Sequence, residues 1–348
     1  MLKILAPKGE VFPYLERAKE YLLASATENV ADYFIEIRDQ ACPVRIEWQS
    51  TDESAAKFLV QYARKRDFSD VISVEADGVN SIDVYNLYKS SEYFVKVTAF
   101  DKNGGLLSCA ESTFQTTSLG PRVMMIENIC NVRDFGGYET SSGKTLAQGV
   151  AYRGGSLTPL PRNPLDTMIT DDGKAYMRDV LGIKAEIDLR SEEESGIPLA
   201  QGSVIPGVKL QYLTINGYDA AMKEPERFRK VFSAFADKSN YPLYYHCTAG
   251  SDRTGTVTFL LYAFLGVSEF DCIKSHEFSS FSIYGERNTK TGESSEWFRS
   301  FYDRLQSEYA GDTLQEKAKN YLRAIGVTQS EMDNIKGIFF GEIPIPKR

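Results

Sequence analysis

The stretch PLYYHCTAGSDRTGTVTFLLYAFL, Pro242–Leu265, decides how this chain is read. Its apolar start, Leu243–His246, suits a short buried strand, and Arg253–Leu265 has the near-continuous apolar content of a buried helix. Between them the loop CTAGSDR is small and polar. Strand, tight loop and helix N-terminus together aim backbone N–H groups and the positive end of a helix dipole at one point, where a phosphate fits. The same field favours the thiolate form of a cysteine.

Cys247 therefore reads as a nucleophile for phosphorus. Arg253, six residues on, offers a bidentate fork to two non-bridging oxygens, which a lysine point charge does not. Thr248, Ala249, Gly250, Ser251 and Asp252 complete the phosphate-binding loop. Thr254 is placed to donate a hydrogen bond to the sulfur as it leaves, and His246 to brace the loop through its ring N–H groups. The expected chemistry needs no metal and no cofactor: thiolate attack gives a phosphocysteine, which water hydrolyses. The plain alternative, a buried core thiol, fits poorly with a helix start among polar residues.

Outward from this loop, strands alternate with helices. Gly173–Leu181, Glu224–Ala236, Glu296–Glu308 and Leu314–Ile325 read as helices and Ile183–Leu189 as a strand, which predicts an α/β domain with a mainly parallel sheet flanked by helices. The segment SLGPR, Ser118–Arg122, marks a linker before it. Upstream the period changes to two, through Tyr33, Ile35 and Ile37; Val44, Ile46 and Trp48; Phe58, Val60 and Tyr62; Val71, Ile72 and Val74; and Tyr93, Val95, Val97 and Ala99. Such runs between polar turns predict an all-β antiparallel sandwich. Apolar positions at helical spacing within Pro13–Leu23 predict a short leading helix. The expected organisation is a helical segment at 1–27, a sandwich at 28–120 and an α/β domain at 121–348.

Two resemblances follow from these residues. His-Cys-x-x-Gly-x-x-Arg-Thr resembles the phosphate loop of the cysteine-dependent protein tyrosine phosphatases. HCTAGSDRTG, with Asp before Arg, looks like the bacterial tyrosine/serine branch that also acts on lipids. NVRDFGG (Asn131–Gly137), YRGGSL (Tyr152–Leu157), IDLRSEEE (Ile187–Glu194) and the tail YLRAIGVTQSEMDNI resemble further stretches of that branch, in order. In the N-terminal third, NLYKSSEYFVKVTAFDKNGG (Asn86–Gly105) followed by TFQTT resembles the later strands of a fibronectin type III domain. Tyr93 would then make a tyrosine corner and Trp48 fill the core.

The phosphatase resemblance implies a general acid, but neither Trp48 nor Trp297 precedes the Pro-Asp of the usual acid loop. Asp252, inside the phosphate loop, is the preferred proton donor, with Asp219 in NGYDAA the alternative. A helix-terminus or arginine-pairing role is the plain reading of Asp252. Arg133, Asp134, Asp188 and Arg190 read as braces, and Ser279–Trp297 as a surface loop, with a mobile cover as the other possibility. The implied substrate is a phosphotyrosine protein. Dual specificity or a phosphoinositide is the runner-up, because lipid-active relatives often carry Lys where Ser251 stands. A phosphate-binding pseudophosphatase and a rhodanese-like sulfurtransferase are the rivals from other classes; retention of both Cys247 and Arg253 speaks against the first.

Bulk properties narrow the partners. A net charge of −8 over 348 residues argues against general affinity for nucleic acid or anionic membrane, and 42% hydrophobic with 25% charged residues is globular composition. Five scattered cysteines suggest neither a disulfide framework nor a zinc site. No apolar run is long enough to span a bilayer. Those features suit the cytoplasm, or secretion if an export signal has been removed. The partner of the sandwich stays open.

Overall fold

The computed structural model describes residues 1–34, 41–159 and 168–345. Two compact units emerge: residues 1–15 with 41–119, and residues 16–40 with 120–348.

The first unit is all β. Strands β1 (Leu2–Ala6), β3 (Val44–Ser50) and β6 (Ser81–Val84) form one antiparallel sheet in the order β1-β3-β6. A second sheet has the order β2-β8-β7-β4-β5, from β2 (Glu10–Val11), β4 (Ala55–Ala63), β5 (Ile72–Asp77), β7 (Glu92–Asp101) and β8 (Leu106–Thr116). Alternating inward residues of both sheets, Ile4, Ile46 and Trp48 from one and Phe58, Val60, Val95 and Val97 from the other, share one core. The Trp48 and Phe58 rings lie 5.3 Å apart. The Tyr93 hydroxyl accepts a hydrogen bond from the Tyr88 backbone N–H at 2.8 Å, reaching back along its own chain as a tyrosine corner does.

The beginning of the chain differs from expectation. Residues 1–27 are not one helical segment: Leu2 and Ile4 point inward in alternation as strand residues, and the helix, α1, covers only Glu16–Leu23. The expected strand through Tyr33, Ile35 and Ile37 lies mostly outside the described residues, and Tyr33 itself follows a 3-10 turn at Val30–Asp32. Helix α1 groups with the second unit, where Ala18, Tyr21 and Leu22 are buried.

The second unit is built on a six-stranded sheet, β13-β12-β14-β11-β10-β9, from β9 (Arg122–Val123), β10 (Arg133–Asp134), β11 (Ala151–Gly154), β12 (Ala185–Asp188), β13 (Lys209–Tyr212) and β14 (Leu243–His246). Strands β13, β12, β14 and β11 run parallel, and β10 and β9 add an antiparallel edge, so the sheet is mixed. Both edge strands are two residues long, too short to show a period in sequence. Every residue of β14 is buried, as a central parallel strand requires. Leu243 and Tyr245 enter the larger core, and Tyr244 enters a smaller one.

The helices of this unit are α2 (Asp171–Ala175), α3 (Glu192–Ser195), α4 (Ala220–Lys223), α5 (Pro225–Ala236), α6 (Asp252–Leu265), α7 (Glu269–Glu277), α8 (Glu293–Glu308), α9 (Leu314–Ala324) and α10 (Gln329–Phe339). Helix α6 is buried from Thr254 to Leu265 and stops at Gly266, whose left-handed φ of 87° closes the last turn. Helix α7 escaped the sequence reading because EFDCIKSHE buries polar residues, Lys274, Ser275, His276 and Glu277, along with Cys272.

Candidate active site

The loop Cys247–Ser251 leaves β14 and opens into α6. Gly250 has φ +67°, and a Cβ there would stand 2.4 Å from the backbone C and O of Gly154. Only glycine allows this approach, which fixes the loop against the end of β11. Arg153 donates to the Gly250 carbonyl at 2.5 Å, the Ser156 N–H to the Thr248 carbonyl at 2.9 Å, and the Asn131 amide to the Ala249 carbonyl at 3.0 Å. The motifs NVRDFGG and YRGGSL thus hold the loop from beneath. Cys247 is buried, 2% exposed, at the loop's start.

Arg253 forms a two-pronged ion pair with Glu194 of α3, 2.6 Å on each prong, and Thr248 donates to the same carboxylate at 3.2 Å. Hydrogen bonding from Arg253 lowers the pKa of Glu194, so the fork is held by a full negative charge. Ser191 caps α3 by accepting from the Glu194 N–H, which fixes where Glu194 starts.

Asp252 has partners of its own. Arg287 donates to both its oxygens at 2.7 and 3.0 Å, and the Tyr218 hydroxyl donates at 2.6 Å. Burial alone would raise the pKa of Asp252, but the Arg287 charge and these hydrogen bonds outweigh it, and the net shift is downward. Asp252 in this arrangement is a carboxylate, the arginine-paired form. Asp219 is tied elsewhere, to Lys223 at 2.8 Å and to the Ser300 hydroxyl at 3.0 Å. Its neighbour Tyr218 is the residue that reaches the loop.

His246 is wholly buried, with Nε2 2.9 Å from Glu186 and Nδ1 3.1 Å from the Cys247 carbonyl. Burial would lower its pKa, yet Asp188 and Glu186 prevail and raise it. Glu186, Asp188 and His246 place ligand-type atoms within 4.8 Å of one another. Their oxygens are engaged internally, Asp188 accepting from the Arg190 guanidinium at 2.8 Å and Glu186 paired with His246. Asp134 pairs with Arg122 at 2.8 Å, and Arg133 donates to the Ser275 carbonyl and the Ser279 hydroxyl, so all four motif residues contact protein groups. Thr254 Oγ1 is buried with no hydrogen-bond partner among the described residues. Glu194, Tyr218 and Arg287 are the site residues that sequence reasoning missed. Glu194 stood in a quoted motif, as the last of three consecutive glutamates, and Tyr218 in NGYDAA beside Asp219, but nothing local marked either as a partner of the loop.

A Cys-x5-Arg segment between the central parallel strand and a buried helix places the candidate site in an α/β domain with a mixed sheet. Residues 124–340 match the tyrosine phosphatase family, and the chain belongs to it. A protein of Cupriavidus necator named as a tyrosine-protein phosphatase is 29% identical over 181 residues, 45% of this chain and 63% of that one. A tyrosine-protein phosphatase of Nostoc commune is 25% identical over 132 residues, 32% of this chain and 43% of that one. The chain spans less than two thirds of the length of either relative. Among solved structures, the core catalytic domain of the PP-IP phosphatase SIW14 of S. cerevisiae is similar at 15% identity and a TM-score of 0.29, over 47% of this chain and 91% of that one.

Proposed function

We propose that the chain is a phosphomonoester hydrolase working through a phosphocysteine on Cys247, with phosphotyrosine protein as substrate. The observation that carries the reading is the pairing of Cys247 and Arg253 on one braced loop, with the Arg253 fork aimed by Glu194. The Cys247 thiolate attacks phosphorus, the S–P bond forms, and the P–O bond to the leaving tyrosine breaks. Asp252 supplies the proton to that oxygen. Water then attacks the phosphocysteine and gives its proton to the Asp252 carboxylate. The S–P bond breaks as Thr254 Oγ1, which has no other partner among the described residues, donates to the departing sulfur. His246 and the Asn131 and Arg153 contacts keep the loop in shape. Asp219, occupied by Lys223 and Ser300, is a poorer donor.

The β unit, with its shared core and tyrosine corner, is in our reading a fibronectin type III-like module that docks partners and adds no chemistry. Ser251, in place of a lysine, favours phosphotyrosine over highly charged inositol lipids.

Hydrolysis of p-nitrophenyl phosphate in chelator-containing buffer tests the proposal. Turnover by the parent, abolished in Cys247→Ser, is the expected result. A folded, reduced parent that binds phosphate without turning over would make the chain a phosphate-binding module instead.

A further inference from the structure

Asp252 carries a chemical conflict. A proton donor must be protonated when the leaving oxygen departs, yet Arg287 grips both carboxylate oxygens and Tyr218 donates to one of them. The other groups facing it do not relieve this. His276, from α7, is buried and its pKa is pushed down to about 3, so it is neutral, and Arg253 and Cys247 stand on the same loop.

The grip of Arg287 is itself built. Four consecutive residues, Arg287 to Lys290, are each fastened. The Arg287 N–H donates to the Ser280 hydroxyl at 2.8 Å, and the buried Asn288 amide donates to Asn29 Oδ1 at 2.7 Å. Thr289 donates to Glu277 from its N–H at 3.0 Å and its hydroxyl at 2.6 Å, and the Tyr21 hydroxyl donates to the same carboxylate. Lys290 donates to the Ala26 carbonyl at 2.7 Å and to that of Glu28. Lys274 closes the set by donating to the Tyr21 carbonyl at 2.6 Å. The bonds onto Glu277 from Tyr21 and Thr289, and that of Lys274 onto the Tyr21 carbonyl, are buried and shielded from water, whereas those of Lys290 lie at the surface. Residues 21–29 precede the phosphatase match by about a hundred positions, yet they belong to the same compact unit.

We propose that Tyr21–Asn29 is a strap that seats the 287–290 stretch, and that Arg287 so seated is a positioning residue governing when Asp252 can act as the acid. While Arg287 is engaged, Asp252 remains a carboxylate. When the phosphoryl dianion arriving beside Cys247 competes for the guanidinium, Asp252 is released, takes a proton from solvent and passes it to the leaving oxygen. The inference rests on the phosphocysteine reading above.

The test is the pH dependence of kcat/KM on phenyl phosphate, whose poor leaving group needs a proton, for the full chain and for Arg287→Gln, Arg287→Lys and Asn29→Ala. On the alkaline limb the acid loses its proton. Arg287→Gln should move that limb to higher pH, Arg287→Lys should largely retain it, and Asn29→Ala should move it in the same direction by less. In an Asp252→Asn background, Arg287→Gln should move nothing. A limb unmoved in an active Arg287→Gln overturns the role of Arg287, and one unmoved in Asn29→Ala overturns the strap. A parent without turnover defeats the phosphocysteine reading instead; carboxyl NMR titration of Asp252 in the parent and Asn29→Ala then still decides whether the strap governs its ionisation.

Discussion

In the proposed reaction Arg253 receives two phosphate oxygens, which requires an aimed guanidinium plane, and Glu194 holds that plane through two bonds of 2.6 Å. Glu194→Gln keeps the shape but loses the charge and one acceptor. We expect kcat/KM to fall about 10–100-fold, the scale set by misplacing a reacting group by about 1 Å. Steady-state kinetics on p-nitrophenyl phosphate measures it; tighter phosphate binding and unchanged kcat would instead make Glu194 a competitor of the substrate. The two histidines have opposite linkage. His246 has a raised folded pKa, so its contribution to stability is full below the ordinary value of about 6.5 and is lost as pH rises through the raised one. His276 is pushed down to about 3, so its contribution is full above about 6.5 and falls away as pH drops toward 3. Urea midpoints across pH should therefore show Glu186→Gln losing most stability on the acid side of neutrality, and His276→Phe flattening the acid limb of the parent.

Among the elements, the loop between β14 and α6 was legible because everything that makes it is contiguous: a strand buried on both faces, a glycine, and an apolar helix. Its partners were not. Glu194 lies 59 residues from Arg253 and Arg287 lies 35 from Asp252, and no local period announces a contact closed only by tertiary folding. Asp252 shows the limit, since its place in the motif points to a proton donor with arginine pairing as the plain alternative, and its ion partner sits on a loop that reads as plain surface. Strands β9 and β10 are too brief to show a period, and β1 is masked in sequence by the helical spacing that follows it within residues 1–27. Gly250 gives the sharpest test at this scale. Gly250→Ala forces a left-handed φ on a residue with a Cβ, about 1–3 kcal/mol by itself, and drives that Cβ into the Gly154 backbone. Thermal melts should show the loss, with turnover abolished although Cys247 and Arg253 are intact.

Across the whole molecule, the division into a β unit and an α/β unit followed from the change of period, since each unit has hydrophobic clusters of its own. The place of α1 did not follow, because an amphipathic helix does not say what it covers. Trp48 tests the separateness of the cores: Trp48→Ala should cost the β unit about 3–5 kcal/mol, read as a lowered melting transition, while p-nitrophenyl phosphate turnover at low temperature persists. The family assignment rests on residues 124–340, and the central claim is the covalent step on Cys247. The most direct measurement is rapid acid quench of the enzyme turning over p-nitrophenyl phosphate, followed by peptide mass mapping. The account predicts one phosphoryl group on the peptide containing Cys247, absent in Cys247→Ser. Sustained turnover by Cys247→Ser, or a phosphoryl group trapped on another residue, would contradict it.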